Sequence, residues 1–349
     1  MSAPDRTLTR ALIFGCDGAT LVDGERALFR ATQPLGFILF ARNCVDPTQL
    51  RRLVSDLRET LRCENAPVLI DQEGGRVARL GPPHWRKAPP ARLFGTLAGC
   101  DLAAGREAAL LNARLTGREL AALGITVDCT PVLDVPGVDG HDIIGDRAFA
   151  ADPVVVADLG RAVCDGMLAE GVAPVIKHIP GHGRAGADSH KELPVVDAPL
   201  DALRATDFEP FRALADAPWA MTAHVLYRAL DTDRCASVSP VVIERTIRGE
   251  IGFNGLLVSD DINMHALAGT LPERAQAVLA AGCDVALHCS GVLSEMAAVA
   301  AAVPSMTGAA MDRFTRAESI RQEKPGMRVT DAELSRRLDA LLAQSPAGV

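Results

Sequence analysis

The segment from Lys177 to His190 puts several ionisable side chains into one glycine-rich stretch, KHIPGHGRAGADSH. It contains one lysine, three histidines and an aspartate, and it follows an apolar run, Val172 to Ile176, of the kind that forms a buried strand. Asp188 and His190 are two positions apart, so in an extended segment both side chains point to one face. There the carboxylate can orient and charge the imidazole, which predicts an acid–base pair. The alternative is an Asp188 turn cap beside a solvated His190.

A second reactive group, Asp260, follows the apolar stretch Leu256 to Val258 and one serine. A carboxylate fixed at the end of a strand can attack a carbon atom or hold a cation. Asp261 comes next, and alternation along an extended chain turns its side chain away. Asp260 is therefore a candidate nucleophile, and we expect one of the two aspartates to be structural.

Two other chemistries are compatible with the residue types. His178, His182, Asp188 and His190 can all bind zinc, but neither a His-Glu-x-x-His nor a His-x-His spacing is present. Lys177 at a strand end could form a Schiff base if burial lowered its pKa. The spacing of the histidines disfavours a metal site. The neighbours of Lys177 argue only weakly against a Schiff base.

The elements that must position these groups alternate between short apolar runs and stretches with helical spacing. Eight strands are predicted, at Ala11–Gly15, Gly36–Phe40, Pro67–Ile70, Ile125–Cys129, Val172–Ile176, Trp219–Ala223, Gly255–Val258 and Asp284–Leu287. This pattern favours an α/β fold, a (β/α)8 TIM-type barrel, and no Gly-x-Gly-x-x-Gly follows the first strand. We expect a single catalytic domain over 1–349, with the barrel at about 10–303 and a C-terminal helical extension at about 304–349.

Polar residues collect at the predicted strand ends, where barrel enzymes build their sites. They are Asp71, Asp128, Asp134, Lys177, His178, His224, Asp260, Asp261 and His288. The set DQEGGR with Arg79, together with Gly145-Asp-Arg147, offers donors and acceptors for several hydroxyl groups. Such mixed polar sets suit a sugar, although surface ion pairs would explain each arginine singly.

Composition narrows the classes of partner. The 349-residue chain carries a net charge of −8 and has no basic run, so binding to nucleic acid is not expected. Its N-terminus lacks a signal-peptide pattern and its apolar runs are too short to span a bilayer, which predicts a cytoplasmic protein without membrane contact. The nine cysteines include no Cys-x-x-Cys pair and are expected to be free, mostly buried thiols. No apolar stripe indicates a partner subunit, so we expect a monomer.

Taken together, the motifs resemble the family 3 glycoside hydrolases, and within that family the NagZ-type bacterial β-N-acetylhexosaminidases. The resemblance spans about residues 10–300 and rests on DQEGGRVAR (71–79), GDRAF (145–149), KHIPGHG (177–183), DSH (188–190), MTAH (221–224) and SDD (259–261). It implies a retaining, exo-acting hydrolase without metal or organic cofactor. The implied substrate is N-acetylglucosamine joined to 1,6-anhydro-N-acetylmuramic acid in muropeptides recycled from peptidoglycan of the cell wall.

The resemblance also implies roles for individual residues. Asp260 would form the glycosyl-enzyme, and His190 with Asp188 would protonate the leaving oxygen and then activate water, instead of the usual second carboxylate. The substrate-binding residues would be Asp71, Arg79, Arg147, Lys177, His178 and His224. Ile179 stands where an aromatic residue is more usual, and Ile262-Asn263-Met264 varies the residues after the nucleophile.

Several alternatives remain open at this level. A neutral or cationic imidazole repels an incoming anion less than a carboxylate would, so phosphate could replace water and make the enzyme a phosphorylase. A β-glucosidase or β-xylosidase of the same family would share most of the motifs. Two alternatives involve a different chemistry. One is a metal-dependent amidohydrolase barrel. The other is a non-catalytic sugar-binding barrel, and that protein would need neither Asp260 nor His190.

Overall fold

A computed structural model describes residues 9–137, 144–189, 191–323 and 329–345. Eight parallel strands close into a barrel in which each strand pairs with its neighbour in the chain and β1 pairs with β8. The strands are β1 (Arg10–Phe14), β2 (Pro34–Leu39), β3 (Val68–Ile70), β4 (Val127–Asp128), β5 (Ala173–Ile179), β6 (Trp219–Thr222), β7 (Leu256–Asp261) and β8 (Val285–His288). The predicted fold class is confirmed, and each predicted strand overlaps an observed one.

Helices surround the barrel. They are α1 (Asp23–Thr32), α2 (Pro47–Leu61), α3 (Ala91–Cys100), α4 (Leu102–Leu123), α5 (Pro153–Ala169), α6 (Leu200–Ala202), α7 (Glu209–Ala213), α8 (Leu271–Ala281), α9 (Leu293–Ala302), α10 (Gly308–Gln322) and α11 (Asp331–Leu342). Two further stretches, Leu203–Asp207 and Val242–Glu250, are π-helical. A pair of two-residue strands, Val195–Val196 and Leu226–Tyr227, joins two loops outside the barrel.

Local sequence signals set the ends of the longer helices. Asp101 begins α4 by accepting the N–H of Ala104, and Gly124 ends it in a left-handed conformation with φ of +80°. Thr270 and Glu273 form a capping box at the start of α8, and Gly282 ends that helix. These caps fix where the two helices end, and so where the chain turns towards the next barrel strand.

The barrel interior is packed with apolar side chains that alternate along the strands. Trp219 at the start of β6 is fully buried, and Phe314 of α10 packs edge-on against it with ring centroids 6.2 Å apart. Asp284 fixes α10 to the same end, since its two carboxylate oxygens accept from Arg248 at 2.8 Å and Arg313 at 2.7 Å. Helix α10 therefore closes the N-terminal end of the barrel and leaves the opposite end for the site.

The C-terminal helix α11 packs outside the barrel on α4. Leu334 and Leu338 are buried at this contact, and ion pairs join Arg118 to Asp331 and Arg337 to Glu107. All nine cysteines are free thiols and six of them are buried, as the sequence predicts. Among the described residues, none of the helices is both long and apolar enough to cross a membrane.

Candidate active site

A cavity of about 410 Å³ opens at the C-terminal end of the barrel. Its walls combine apolar side chains with a ring of charged ones. The charged and polar lining residues are Asp71, Glu73, Arg76, Arg79, Arg147, Lys177, His178, His182, Ser189, Asp260 and Asp261. The predicted strand-end residues Asp71, Lys177, His178 and Asp260 thus converge on one cavity, as the geometry of a parallel barrel requires.

Lys177 is the cation at the centre of one wall. It is only 2% exposed, and its Nζ lies 2.8 Å from Asp71 Oδ1 and 2.7 Å from Glu73 Oε1. Burial alone would lower the pKa of Lys177, but Asp71 and Glu73 outweigh it and hold this pKa above its usual value. Lys177 is therefore a fixed ammonium, which argues against the Schiff-base chemistry, because that requires a neutral amine.

Two arginines complete this network. Arg79 Nη2 donates to Asp71 Oδ2 at 3.0 Å, and Arg147 makes a two-pronged contact with Glu73, with both N···O distances 2.8 Å. Burial raises the pKa values of the two carboxyl groups, but Lys177 with Arg79 or Arg147 pulls both below their usual values. Two carboxylates and three cations are thus held ionised beside the cavity, which suits recognition of hydroxyl and amide groups.

Glu73 lies in the quoted DQEGGR motif, yet the sequence did not single it out. It accepts from Arg147 and Lys177, which lie 74 and 104 positions further along the chain. Its acidic type and position three residues after β3 were the only sequence signals. The pairing itself arises from the closure of the barrel.

Asp134, which the sequence places at a strand end without a specific role, orients His178. Its Oδ2 lies 2.7 Å from His178 Nδ1, and its Oδ1 accepts the backbone N–H groups of His178 at 3.2 Å and His182 at 2.6 Å. Burial raises the pKa of Asp134, but His178 and His182 bring it down to about 2. An ionised Asp134 can only accept, so the proton sits on His178 Nδ1 and the other ring nitrogen, Nε2, is left to the cavity.

His182 packs edge-on against His178, with ring centroids 5.5 Å apart, and it also lines the cavity. Burial and the nearby His178 lower the pKa of His182 to about 4, so its ring is neutral at physiological pH. In the part of the chain that the structure describes, no three His, Cys, Asp or Glu side chains are grouped as ligands of a metal ion.

Asp260 ends β7 and faces the cavity with 7% of its surface exposed. Its Oδ1 accepts the N–H of Asp261 at 2.8 Å. Burial raises the pKa of Asp260, but His178, His224, the Asp261 N–H and Lys177 together bring it below its usual value, so the group is a carboxylate at neutral pH. A buried, ionised carboxylate on a rigid strand has the properties of a nucleophile.

Asp261 has a different task. Its Oδ1 accepts the N–H groups of Asn263 at 3.0 Å and Cys289 at 3.2 Å, which joins the ends of β7 and β8. Burial raises the pKa of Asp261 to about 6. The Asn263 N–H opposes this rise, and the charge of Asp260 adds to it. These bonds give Asp261 a structural role at the ends of β7 and β8. The expectation that alternation turns its side chain away from the site is wrong, because Asp261 lines the same cavity as Asp260.

His224 lies behind the cavity wall and not on it, unlike its expected place in the sugar pocket. It is 0% exposed, its Nδ1 lies 2.7 Å from Ser237 Oγ, and its Nε2 lies 3.1 Å from the carbonyl oxygen of Asp261. Both ring nitrogens are therefore occupied by the protein. Through its contact with the Asp261 carbonyl, His224 supports the end of β7.

His288 also departs from the strand-end pattern. It is 0% exposed and packs edge-on against Phe14, on the outer side of the barrel, and burial lowers its pKa to about 4. The alternation of side chains along β8 sends Leu287 and Cys289 into the cavity and His288 away from it.

The loop after β5 begins in close contact with its surroundings. Gly183 lies so near the backbone of Val135 that a Cβ would stand 1.9 Å from its carbonyl oxygen, and Gly181 has φ of +134°. Tyr227 donates to the Gly181 carbonyl at 2.7 Å. These two glycines therefore allow tight packing and a left-handed backbone at the start of the loop.

Further along this loop, Ser189 is buried and lines the cavity, which places the Asp188–Ser189 segment at the mouth of the site. The backbone carbonyl of Asp188 accepts the N–H groups of Lys191 and Glu192 at 2.9 and 3.1 Å. The predicted acid–base residue His190 lies outside the described residues.

The fold and the cavity define a class: a parallel-barrel enzyme whose site, at the C-terminal strand ends, is built to bind a hydroxyl-rich molecule beside a carboxylate. The comparison with known sequences is more specific. Residues 22–319 match the model of the glycosyl hydrolase family 3 N terminal domain, and the chain belongs to that family and is a glycoside hydrolase.

Curated relatives match most of the chain. A protein named beta-hexosaminidase from Alkalilimnicola ehrlichii is 41% identical over 283 residues, which cover 80% of each chain. Another of that name, from Tolumonas auensis, is 38% identical over 316 residues, or 88% of this chain and 89% of the relative.

Solved structures agree with this assignment. A family 3 beta-N-acetylglucosaminidase from Paenibacillus superposes with a TM-score of 0.84 at 30% identity, covering 99% of this chain and 69% of that one. NagZ from Neisseria gonorrhoeae, in complex with N-trifluoroacetyl-D-glucosamine, superposes with a TM-score of 0.83 at 28% identity, covering 97% and 98% of the two chains.

Proposed function

We propose that this chain is a retaining, exo-acting β-N-acetylglucosaminidase that removes N-acetylglucosamine from 1,6-anhydro-N-acetylmuramic acid muropeptides during peptidoglycan recycling in the cytoplasm. The observation that carries the proposal is Asp260, an ionised carboxylate on a barrel strand that faces a cavity walled by fixed charges. The names of the relatives, beta-hexosaminidase and beta-N-acetylglucosaminidase, support the choice of sugar.

The charged wall supports binding of a single terminal sugar. Asp71, Arg79, Lys177 and Arg147 present donors and acceptors that are already held in place by one another. Because they need not reorganise when the sugar arrives, they can favour the geometry of the transition state. A bound N-acetylglucosamine would place its anomeric carbon above Asp260.

In the proposed reaction Asp260 attacks the anomeric carbon, and the bond to the leaving oxygen breaks as His190, paired with Asp188, donates a proton to it. The resulting glycosyl-enzyme is then cleaved by water, which His190 deprotonates, and the sugar leaves with retained configuration. Asp134 keeps His178 in one protonation pattern, so that its Nε2 can bond a sugar hydroxyl.

The test is release of 4-nitrophenol from 4-nitrophenyl N-acetyl-β-D-glucosaminide by the wild type and by Asp260→Ala. We expect the variant to lose activity by a factor on the order of 10⁴ or more. Asp197→Asn is a matched control, because Asp197 is 73% exposed and pairs only with the surface residue Arg228 among the contacts described. Full activity in a folded Asp260→Ala variant would contradict the proposal.

Substrate and acceptor need separate measurements. The value of kcat/KM for the natural disaccharide N-acetylglucosaminyl-1,6-anhydro-N-acetylmuramic acid should exceed the values for 4-nitrophenyl β-glucoside and β-xyloside. A higher value for either of these two would indicate a β-glucosidase or a β-xylosidase of the same family. Adding phosphate should leave free N-acetylglucosamine as the product. Formation of the 1-phosphate instead would identify a phosphorylase with the same site.

A further inference from the structure

The loop that follows the nucleophile strand, residues 262–269, is held by one side chain of α8. Arg274, in the first turn of that helix, donates through Nη1 to the carbonyl oxygens of Ile262 at 3.0 Å and Met264 at 3.1 Å, with Asn263 at 3.4 Å. Its Nε donates to the Gly269 carbonyl at 3.0 Å. A single guanidinium therefore joins both ends of the loop, which the planar, multiple-donor shape of arginine permits and that of lysine does not.

This loop in turn carries the segment of the predicted acid–base pair. The N–H of Ala266 donates to the carbonyl oxygen of Ser189 at 3.2 Å, and Ser189 Oγ lies 3.8 Å from Met264 Sδ. Ser189 and Met264 both line the catalytic cavity. Since Ser189 stands between Asp188 and His190 in the chain, whatever fixes the 262–269 loop also fixes the backbone between those two residues.

The outer side of the same loop borders an open cavity. This second cavity, of about 350 Å³, is lined by Leu193, Ala266, Leu267 and Arg274 among others. Arg274 lines this second cavity, and its hydrogen bonds join the loop to α8 on that side.

We propose that Arg274 is a positioning residue for general acid catalysis by Asp188 and His190: it fixes the 262–269 loop, and through Ala266 and Met264 it fixes Ser189, which follows Asp188 in the chain. This inference rests on the proposed function, because it assumes that those two residues protonate the leaving group. Arg274 itself touches neither substrate nor nucleophile in this scheme.

The experiment measures kcat/KM for two N-acetyl-β-D-glucosaminides that differ in leaving group. The 2,4-dinitrophenolate group leaves without being protonated, whereas the sugar hydroxyl that leaves from the natural disaccharide must receive a proton. The value of kcat/KM reports the steps up to cleavage of the glycosidic bond. For Arg274→Ala we expect a loss of roughly 10- to 100-fold with the disaccharide and less than about 3-fold with the dinitrophenyl glycoside. Arg274→Lys, which can reach fewer of the carbonyls, should fall between Arg274→Ala and the wild type.

Two further variants separate the possible failures. Arg245→Ala removes an exposed arginine from the neighbouring Val242–Glu250 helix and should match the wild type on both substrates. Asp188→Asn should show the same substrate-dependent loss as Arg274→Ala. If Asp188→Asn affects both substrates equally, the acid role in the proposed function fails.

If Asp188→Asn behaves as expected but Arg274→Ala loses activity equally on both substrates, or loses none, the positioning role is overturned. Circular dichroism and the melting temperature of each variant show whether the protein is folded. A folded Arg274→Lys still gives a usable comparison if Arg274→Ala does not fold.

Discussion

Replacing Asp134 by asparagine tests how strongly the buried charge below His178 stabilises the protein. Asp134 is 0% exposed and accepts three hydrogen bonds, from His178 Nδ1 and from the backbone N–H groups of His178 and His182. Asparagine has nearly the same shape and keeps one oxygen for the two backbone groups. Its amide nitrogen, however, must face His178 Nδ1, so the imidazole has to move its proton to Nε2.

The size of the effect follows from the pKa of Asp134. It falls from a usual value of 3.8 to about 2 in the folded protein. At about 1.4 kcal/mol for each tenfold change in affinity for the proton, the ionised form contributes about 2 kcal/mol to the free energy of unfolding. Because the folded pKa is the lower one, this contribution is complete above pH 4 and is lost as the pH falls towards 2.

Urea unfolding of the wild type and Asp134→Asn at pH 7 and at several values between 4 and 2.5 measures this contribution. We expect the variant to be about 2 kcal/mol less stable at pH 7, with the difference shrinking as the pH falls through that range. Asp197→Asn, at an exposed ion pair, should change stability by less than about 0.5 kcal/mol. Equal stability of Asp134→Asn and wild type at pH 7, or a difference that does not depend on pH, would refute the reasoning.

Three other substitutions test different parts of the molecule. Asp128→Asn should stabilise the protein by about 1–3 kcal/mol at pH 7. Burial raises the pKa of Asp128 to about 8, so the wild type loses stability as the pH rises from about 4 to 8. Urea unfolding of both proteins at pH 5 and 8 measures this loss, and the same change of stability with pH in both would contradict the prediction. Phe314→Ala should cost about 3–5 kcal/mol without changing kcat/KM of the folded fraction, since Phe314 closes the end of the barrel away from the site; thermal unfolding and the 4-nitrophenol assay measure the two quantities, and a lower kcat/KM would argue against this separation. Lys177→Met leaves Asp71 and Glu73 without their shared cation and should lower kcat/KM by at least about 100-fold; a fully active variant would show that the charged wall is dispensable.

The sequence predicts the architecture well because the signals for it are local. Each barrel strand is a short apolar run between stretches of helical spacing, and eight such units leave few alternatives to a closed parallel barrel. The same logic predicts that Asp71, Lys177 and Asp260 meet, since residues that directly end parallel strands share one face. Where the chain departs from a plain strand or helix, prediction is weaker: Leu203–Asp207 is π-helical, and hydrophobic spacing does not distinguish a short π-helix from an α-helix.

Contacts between distant parts of the chain are decided by the tertiary structure. The link from Glu73 to Arg147 spans 74 positions and that from Asp134 to His178 spans 44, and neither side chain carries a local mark of its partner. His224 also lies at a strand end, but a nearby serine and a backbone carbonyl engage both of its nitrogens and turn it away from the cavity. Periodicity and residue type therefore determine which elements form and where reactive groups emerge, whereas packing determines which of those groups are ionised, paired and turned towards the substrate, because burial and the nearest charge depend on chain segments far away in sequence.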